Sequence, residues 1–130
     1  MRLLLDTHIL LWWLTDSPRL SVRTRKRIVG RTEVFVSAAS VWEIALKKGL
    51  GKLKAPDHLE AALVDSQFQQ LSISVRHALA AGLLPRHHAD PFDRMLVAQA
   101  QSEDLTLVTR DEQLQQYWAG SSPGGGVLLA

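Results

Sequence analysis

The order of apolar segments predicts an α/β fold built on a mostly parallel sheet. Two observations carry this. Strand-type and helix-type segments alternate along the chain, the pattern of βα units. The strand-type segments, such as Leu3-Leu4-Leu5 and Val34-Phe35-Val36, are continuous apolar runs. Strands buried on both faces need such runs, whereas half-exposed strands alternate. The chain has 130 residues, 46% of them hydrophobic, enough for one domain with a real core.

The elements follow in order. Arg2–Asp6 reads as a buried strand and feeds a helix from Thr7 to Thr15. Asp16-Ser17-Pro18 breaks that helix. Ser21 caps a second helix, rich in Arg and Lys, that ends at Gly30. Val34–Ser37 is the second strand, followed by a helix to Lys48 that Gly49 and Gly51 stop. Pro56-Asp57 opens a helix to Gln67, and Leu71–Ser74 is a third strand. Ser74 caps the helix Val75–Gly82, and Pro85–Ala89 is a loop. Asp90 and Pro91 supply an N-cap and a first helical residue for a helix to Ser102. Leu105–Thr109 is the fourth strand, and a short helix spans Asp111–Gln116. The composition places the domain at residues 1–120 and a flexible Gly-rich tail at 121–130, with Val127–Ala130 either a last edge strand or a disordered end.

Bulk properties exclude several classes. The net charge of +2 permits nucleic-acid binding without arguing for it. With no cysteine, disulfide frameworks and cysteine zinc sites are ruled out. The apolar run Leu3–Leu14 is interrupted by Asp6 and His8 and is short of the ~20 residues of a spanning helix. We therefore expect neither a signal peptide nor a membrane span, and a cytoplasmic protein.

In a parallel sheet, sites gather at the carboxyl ends of the strands. Asp6 ends the first strand, Glu43 lies early in the helix after the second, and Asp111 follows the fourth. Asp93 opens a helix that does not directly follow a strand, so topology alone ties it to the group less firmly. Singly, these acids have plain explanations. Ser40-x-x-Glu43 and Thr109-x-x-Glu112 fit capping boxes, and Asp93 sits where a helix dipole favours negative charge. Asp6 is poorly explained as a cap, because Ser or Asn would serve equally. If the acids converge, each pair ~4 Å apart repels by about 4 kcal/mol at an effective dielectric of 20. Protons or a cation must then neutralise the cluster. Oxygen ligands select a hard cation such as Mg²⁺ or Mn²⁺, whose commonest chemistry on such a site is phosphodiester hydrolysis by an activated water.

The motifs themselves carry a resemblance. They are Leu3-Leu4-Leu5-Asp6-Thr7-His8, Ser37-Ala38-Ala39-Ser40-Val41-Trp42-Glu43-Ile44-Ala45, His88-Ala89-Asp90-Pro91-Phe92-Asp93-Arg94-Met95-Leu96-Val97-Ala98-Gln99-Ala100, and Leu107-Val108-Thr109-Arg110-Asp111. In this order and spacing, over residues 2–118, the chain resembles the PIN-domain nucleases and, within them, the VapC-like toxins of toxin–antitoxin pairs. The resemblance implies a three-layer α/β/α fold with a four- to five-stranded mostly parallel sheet and about seven helices. It implies a Mg²⁺-dependent endoribonuclease. Asp6, Glu43 and Asp93 match the three central acids as catalytic and metal-binding residues, and Asp111 matches the more variable fourth. Thr7 and Thr109 match supporting hydroxyls, while Asp90 is assigned to capping. The Gly-rich ending after Trp118 departs from the short closing strand usual in the family. The resemblance also implies an antitoxin chain as partner and pairing of toxins as dimers.

Other signals are weaker. His87-His88 has no third ligand at metal spacing and reads as a loop pair. With Arg86 and Arg94 it is a candidate for RNA contact; Lys47, in the run Lys47, Lys48, Lys52, Lys54, is a separate candidate, although such basic runs are usually solvated faces. Trp12 and Trp13 are either core residues or part of an apolar patch for a partner. Two rival functions remain at this level. An aspartyl-nucleophile phosphatase also begins with a strand ending in Asp, but it usually carries a second Asp where this chain has His8. A non-catalytic binding module of the same fold is the other, disfavoured by the complete acidic set.

Overall fold

A computed structural model of the chain describes residues 2–30, 33–119 and 124–130. Its strands are β1 (Leu3–Leu5), β2 (Val34–Ser37), β3 (Gln69–Leu71), β4 (Thr106–Thr109) and β5 (Gly126–Leu129). The α-helices are α1 (Thr7–Leu14), α2 (Val22–Val29), α3 (Ala38–Gly49), α4 (Leu59–Asp65), α5 (Val75–Leu83) and α6 (Pro91–Glu103), and a 3₁₀ helix spans Glu112–Trp118. Every strand pair is parallel, in the order β3-β2-β1-β4-β5.

The apolar runs explain the layering. Side chains of a strand alternate between faces. Leu3, Leu5, Val34, Val36 and Val108 therefore enter one core with Ile9, Ile28, Ile44 and Leu63 from α1 to α4. Leu4 and Leu107 enter a second core with Leu96 and Val97 of α6 and Leu114 of the 3₁₀ helix. Leu3, Leu4 and Leu5 are wholly buried. Each contributes roughly 2 kcal/mol, which helps to offset an ionisable residue at the end of the strand.

The chain starts at the centre of the sheet and moves outward through β2 to β3, then returns to lay down β4 and β5 on the other side. Crossovers keep one hand, so reversing direction moves the connecting helices to the opposite face. The reversal opens a crevice between the carboxyl ends of β1 and β4. Asp6 and Thr109 stand there.

Caps act as their residues suggest. Ser21 accepts the Thr24 amide at 3.1 Å, and Ser74 accepts the His77 amide at 3.1 Å. Asp90 accepts the Phe92 and Asp93 amides at 2.8 and 3.1 Å.

Three segments differ from the sequence expectation. The third strand runs Gln69–Leu71 rather than Leu71–Ser74. It is an edge strand paired only with β2 among the described residues, so exposed glutamines occupy it and no apolar run marks it. Its former end is used otherwise, Ser72 accepting a bond from Gln99 and Ser74 capping α5. The helix expected from Pro56 starts at Leu59, because Pro56 and Asp57 are tied to Lys48 of α3. The tail expected to be flexible contains β5, which pairs with β4 from Thr106↔Gly126 to Thr109↔Leu129. Residues 120–123 of that expected tail lie outside the described residues. Gly125 has φ +72 and lies against the carbonyls of Leu105 and Ala100, while its amide donates to Asp104 Oδ1 at 2.8 Å. Composition suggested a linker; the glycines instead allow a close approach of backbones.

Candidate active site

Asp6 is where β1 hands over to α1. Its backbone amide still donates to the Val108 carbonyl at 3.0 Å. Its side chain then closes the first turn of α1, Oδ1 accepting the Ile9 amide at 2.9 Å. Asp6 is thus an N-cap, contrary to the expectation that capping explains it poorly. Capping uses one oxygen only. The other, Oδ2, accepts a short hydrogen bond from the Thr109 hydroxyl at the end of β4. The residue is 5% exposed. Burial raises its pKa above the ordinary carboxylate value; the Thr109 and Ile9 hydrogen bonds and His8 oppose this, and Glu43 adds to it.

Glu43 is on α3, whose cap is Ser37, bonded to the Ala39 amide at 3.0 Å. The expected Ser40–Glu43 capping box is not formed. Instead, the buried Glu43 carboxylate accepts the Thr7 hydroxyl at 2.7 Å on Oε1 and the Lys47 ammonium at 2.6 Å on Oε2. Lys47, a candidate RNA contact, is therefore engaged as a counter-ion. Its pKa is raised first by the Glu43 hydrogen bond and further by the charges of Glu43, Asp90 and Asp93.

Asp93 opens α6, and packing supplies what topology left open. Trp42 of α3 meets Phe92 of α6 edge-to-face, ring centroids 5.1 Å apart. The Asp93 carboxyl is pushed up to about 7, first by burial, then by Asp90, with Asp6 and Glu43 adding to it and His88 opposing it. The charges of Asp6 and Glu43 thus reach Asp93, and that of Glu43 reaches Asp6, so the three share one electrostatic neighbourhood. Asp111 stands beside it. It caps the 3₁₀ helix through Oδ1, bonded to the Gln113 amide at 3.0 Å, so the Thr109–Glu112 box is not used. Its own amide donates to the Thr109 hydroxyl oxygen at 3.0 Å. One hydroxyl thereby joins Asp6 to Asp111.

The residue that sequence reasoning set aside is His88. Its Nε2 lies 2.9 Å from Asp111 Oδ2 and 3.4 Å from Asp93 Oδ2, so the loop pair does reach the acidic group. Asp93 follows His88 in the same motif block, but Asp111 lies in a distant segment, where local spacing cannot reveal it. His87 packs edge-on against Tyr117 instead. Arg94, also a candidate RNA contact, donates to the carbonyls of Ala81, Leu84, Pro85 and His88, which commits its guanidinium to the loop. Arg86 is exposed on that loop. Trp13 packs on Phe68 and donates to Ser66 at 3.2 Å, while Trp12 lies beneath Arg110, so both indoles are partly covered.

The donor set suits a hard divalent cation. The clustered ligands are carboxylate oxygens, and His88, Asp93 and Asp111 each place a donor atom within 4.8 Å of the others. Burial first, with neighbouring carboxylates adding to it, raises the pKa values of Asp6 and Asp93, and a bound divalent ion would oppose that rise. Asp6, Glu43, Asp93 and Asp111 are the carboxylates that could hold such an ion.

A five-stranded parallel sheet with this acidic cluster at its switch point defines a class, and comparison with known families agrees. The PIN domain pattern matches residues 3–118, so the chain belongs to the PIN-domain family. It is 32% identical over 123 residues to Ribonuclease VapC22 of Mycobacterium tuberculosis, covering 88% of this chain and 90% of that one. Solved structures share the fold at lower identity. VapBC2 from Rickettsia felis, bound to a DNA fragment from its promoter, matches with a TM-score of 0.71 at 17% identity, over 99% of this chain and 98% of the other. FitAcB from Neisseria gonorrhoeae matches with a TM-score of 0.69 at 20% identity, over 97% and 96%.

Proposed function

We propose that the protein is a Mg²⁺-dependent endoribonuclease, Mn²⁺ being an alternative ion, and that it acts in the cytoplasm as the toxin of a toxin–antitoxin pair. The observation that carries the catalytic part is the convergence of Asp6, Glu43 and Asp93, three acids from separate elements: the charge of Glu43 acts on Asp6, and those of Asp6 and Glu43 act on Asp93. Isolated helix caps would not be gathered in this way. The ribonuclease relative supports RNA as substrate.

The proposed reaction is hydrolysis. The oxygen of water bonds to phosphorus, the bond from phosphorus to the 3′ oxygen breaks, and that oxygen takes a proton. The products end in a 5′-phosphate and a 3′-hydroxyl. The cation, when bound, lowers the pKa of water and offsets charge on the phosphate. Asp6 and Asp93 would hold that cation. Thr109 fixes Asp6 through Oδ2, and Thr7 with Lys47 fixes Glu43, so the carboxylates are placed before substrate arrives. Glu43 binds the cation or orients the water, and Asp111 supports the cation or its water shell. Arg86, exposed beside the site, is the remaining candidate for phosphate contact.

Partner proposals rest on surface and likeness. Trp42 and Leu46 of α3 and Leu50 at its C-cap form an exposed row, and Val75, Leu79 and Leu83 form another on α5. Such apolar rows suit an antitoxin segment and a second copy of the chain, in line with the VapBC complexes among the fold relatives. No described helix is long and apolar enough to cross a membrane.

The test is cleavage of a single-stranded RNA with Mg²⁺, with EDTA, and with Asp6→Asn. Asn still caps α1, so the variant should fold. We expect products with 5′-phosphates, none with EDTA, and at least a ~100-fold loss in Asp6→Asn, a magnitude ordinary for a lost electrostatic contact at a reacting phosphate. Equal cleavage by the folded variant would overturn the assignment.

A further inference from the structure

His88 satisfies the spacing of a metal ligand, yet the hydrogen bonds around its ring give it a different part. We propose that His88 is a positioning residue of the acidic site, a fixed N–H donor to Asp111 that also faces Asp93, and not a ligand of the cation. The inference rests on the cation-site reading given above.

The decisive contact is the backbone amide of Asp90, which donates to His88 Nδ1 at 3.1 Å. A backbone amide has a proton to give and no lone pair to accept one. Nδ1 must therefore carry the ring's lone pair. The ring proton is then on Nε2, and Nε2 faces Asp111 Oδ2 at 2.9 Å and Asp93 Oδ2 at 3.4 Å. A nitrogen that bears a proton has no electron pair for a metal. Ligation through Nε2 would move the proton to Nδ1, where it would meet the Asp90 N–H, donor against donor.

The same geometry explains what the ring does. Asp111 is held at Oδ1 by the Gln113 amide and at Oδ2 by His88, so its orientation is set by protein donors at both oxygens. The link also joins the end of β4 to the start of α6, the two elements that carry Asp111 and Asp93. The loop bearing His88 is itself braced, because Arg94 donates to the carbonyls of His88, Pro85, Leu84 and Ala81. Outer groups of this kind commonly change metal affinity by about 10–100-fold when removed.

Ring-nitrogen NMR on protein labelled with ¹⁵N-histidine reads the tautomer directly, with His88→Asn identifying the signals. We expect the Nε2–H pattern for His88 both without metal and with saturating Mg²⁺. An Nδ1–H pattern in the Mg²⁺ form would make His88 a ligand, and rapid averaging of the two tautomers would remove the fixed donor; either overturns the proposal. Mg²⁺ calorimetry on two variants tests positioning. His88→Asn retains an acceptor for the Asp90 amide but does not reach Asp111, while His88→Gln places an N–H near the original Nε2. Affinity should fall by about tenfold in His88→Asn and recover largely in His88→Gln. Wild-type affinity in His88→Asn would refute the positioning role. A wild-type protein that binds no Mg²⁺ would instead sink the cation-site reading, and the tautomer pattern would still decide whether His88 is a fixed donor.

Discussion

At Asp93 the balance of burial and charge has a consequence that pH reveals. Its carboxyl is pushed up to about 7 from an ordinary value of 3.8, with burial the largest cause and Asp90 the next. A raised pKa means that the fold binds this proton more tightly than the unfolded chain does. The associated stability is full below the unfolded value and is lost as pH rises through about 7. Metal-free protein should therefore lose melting temperature between about pH 4 and about pH 8, by several degrees for a domain of this size. Asp93→Asn, which has no such proton to lose, should flatten the curve. A metal-free wild type and Asp93→Asn with parallel pH curves would refute this account of Asp93. Legibility at this scale was uneven. Asp6, Glu43 and Asp93 stand in motif blocks with distinctive neighbours and were named from sequence. His88 was set aside although Asp93 follows in the same block, because its closer partner, Asp111, lies in a distant segment that only the fold brings to it.

Elements were legible in proportion to how much they bury. β1, β2 and β4 were located within about a residue because their apolar runs are covered on both faces. Edge strands bury little and give little signal, so β3 was placed two residues late. The β5 case differs, since its leading glycines share their composition with linkers. Gly125 tests whether this segment is fixed by close approach. At φ +72, an added Cβ is strained and meets the carbonyl oxygens of Leu105 and Ala100. We expect Gly125→Ala to cost on the order of 1–3 kcal/mol in chemical denaturation, beyond the usual range for surface sites. A change under about 0.5 kcal/mol would show that the close packing of this turn contributes nothing to stability.

The whole molecule turns an unfavourable local arrangement into a usable one. Two apolar cores sandwich the sheet, and the change of direction at β1 leaves a crevice into which four elements deliver acids. Lys47 partly offsets that negative charge at Glu43, and the His88 ring N–H donates to Asp111. The remainder is the electrostatic reason for a cation. The α/β class, the parallel sheet and most helices were legible because they follow from repeated patterns along the chain. The convergence of Asp93 with Asp6 and Glu43 depends on α3 packing against α6 through Trp42 and Phe92, contacts that no local pattern encodes.

Together these acids should form one cation site. Calorimetric titration of Mg²⁺ into the wild type and into the Asp6→Asn/Asp93→Asn double variant measures it directly, with circular dichroism to verify that both are folded. The account predicts saturable binding to the wild type and none to the folded double variant. Equal binding by the two proteins, or no binding by the wild type, would contradict it.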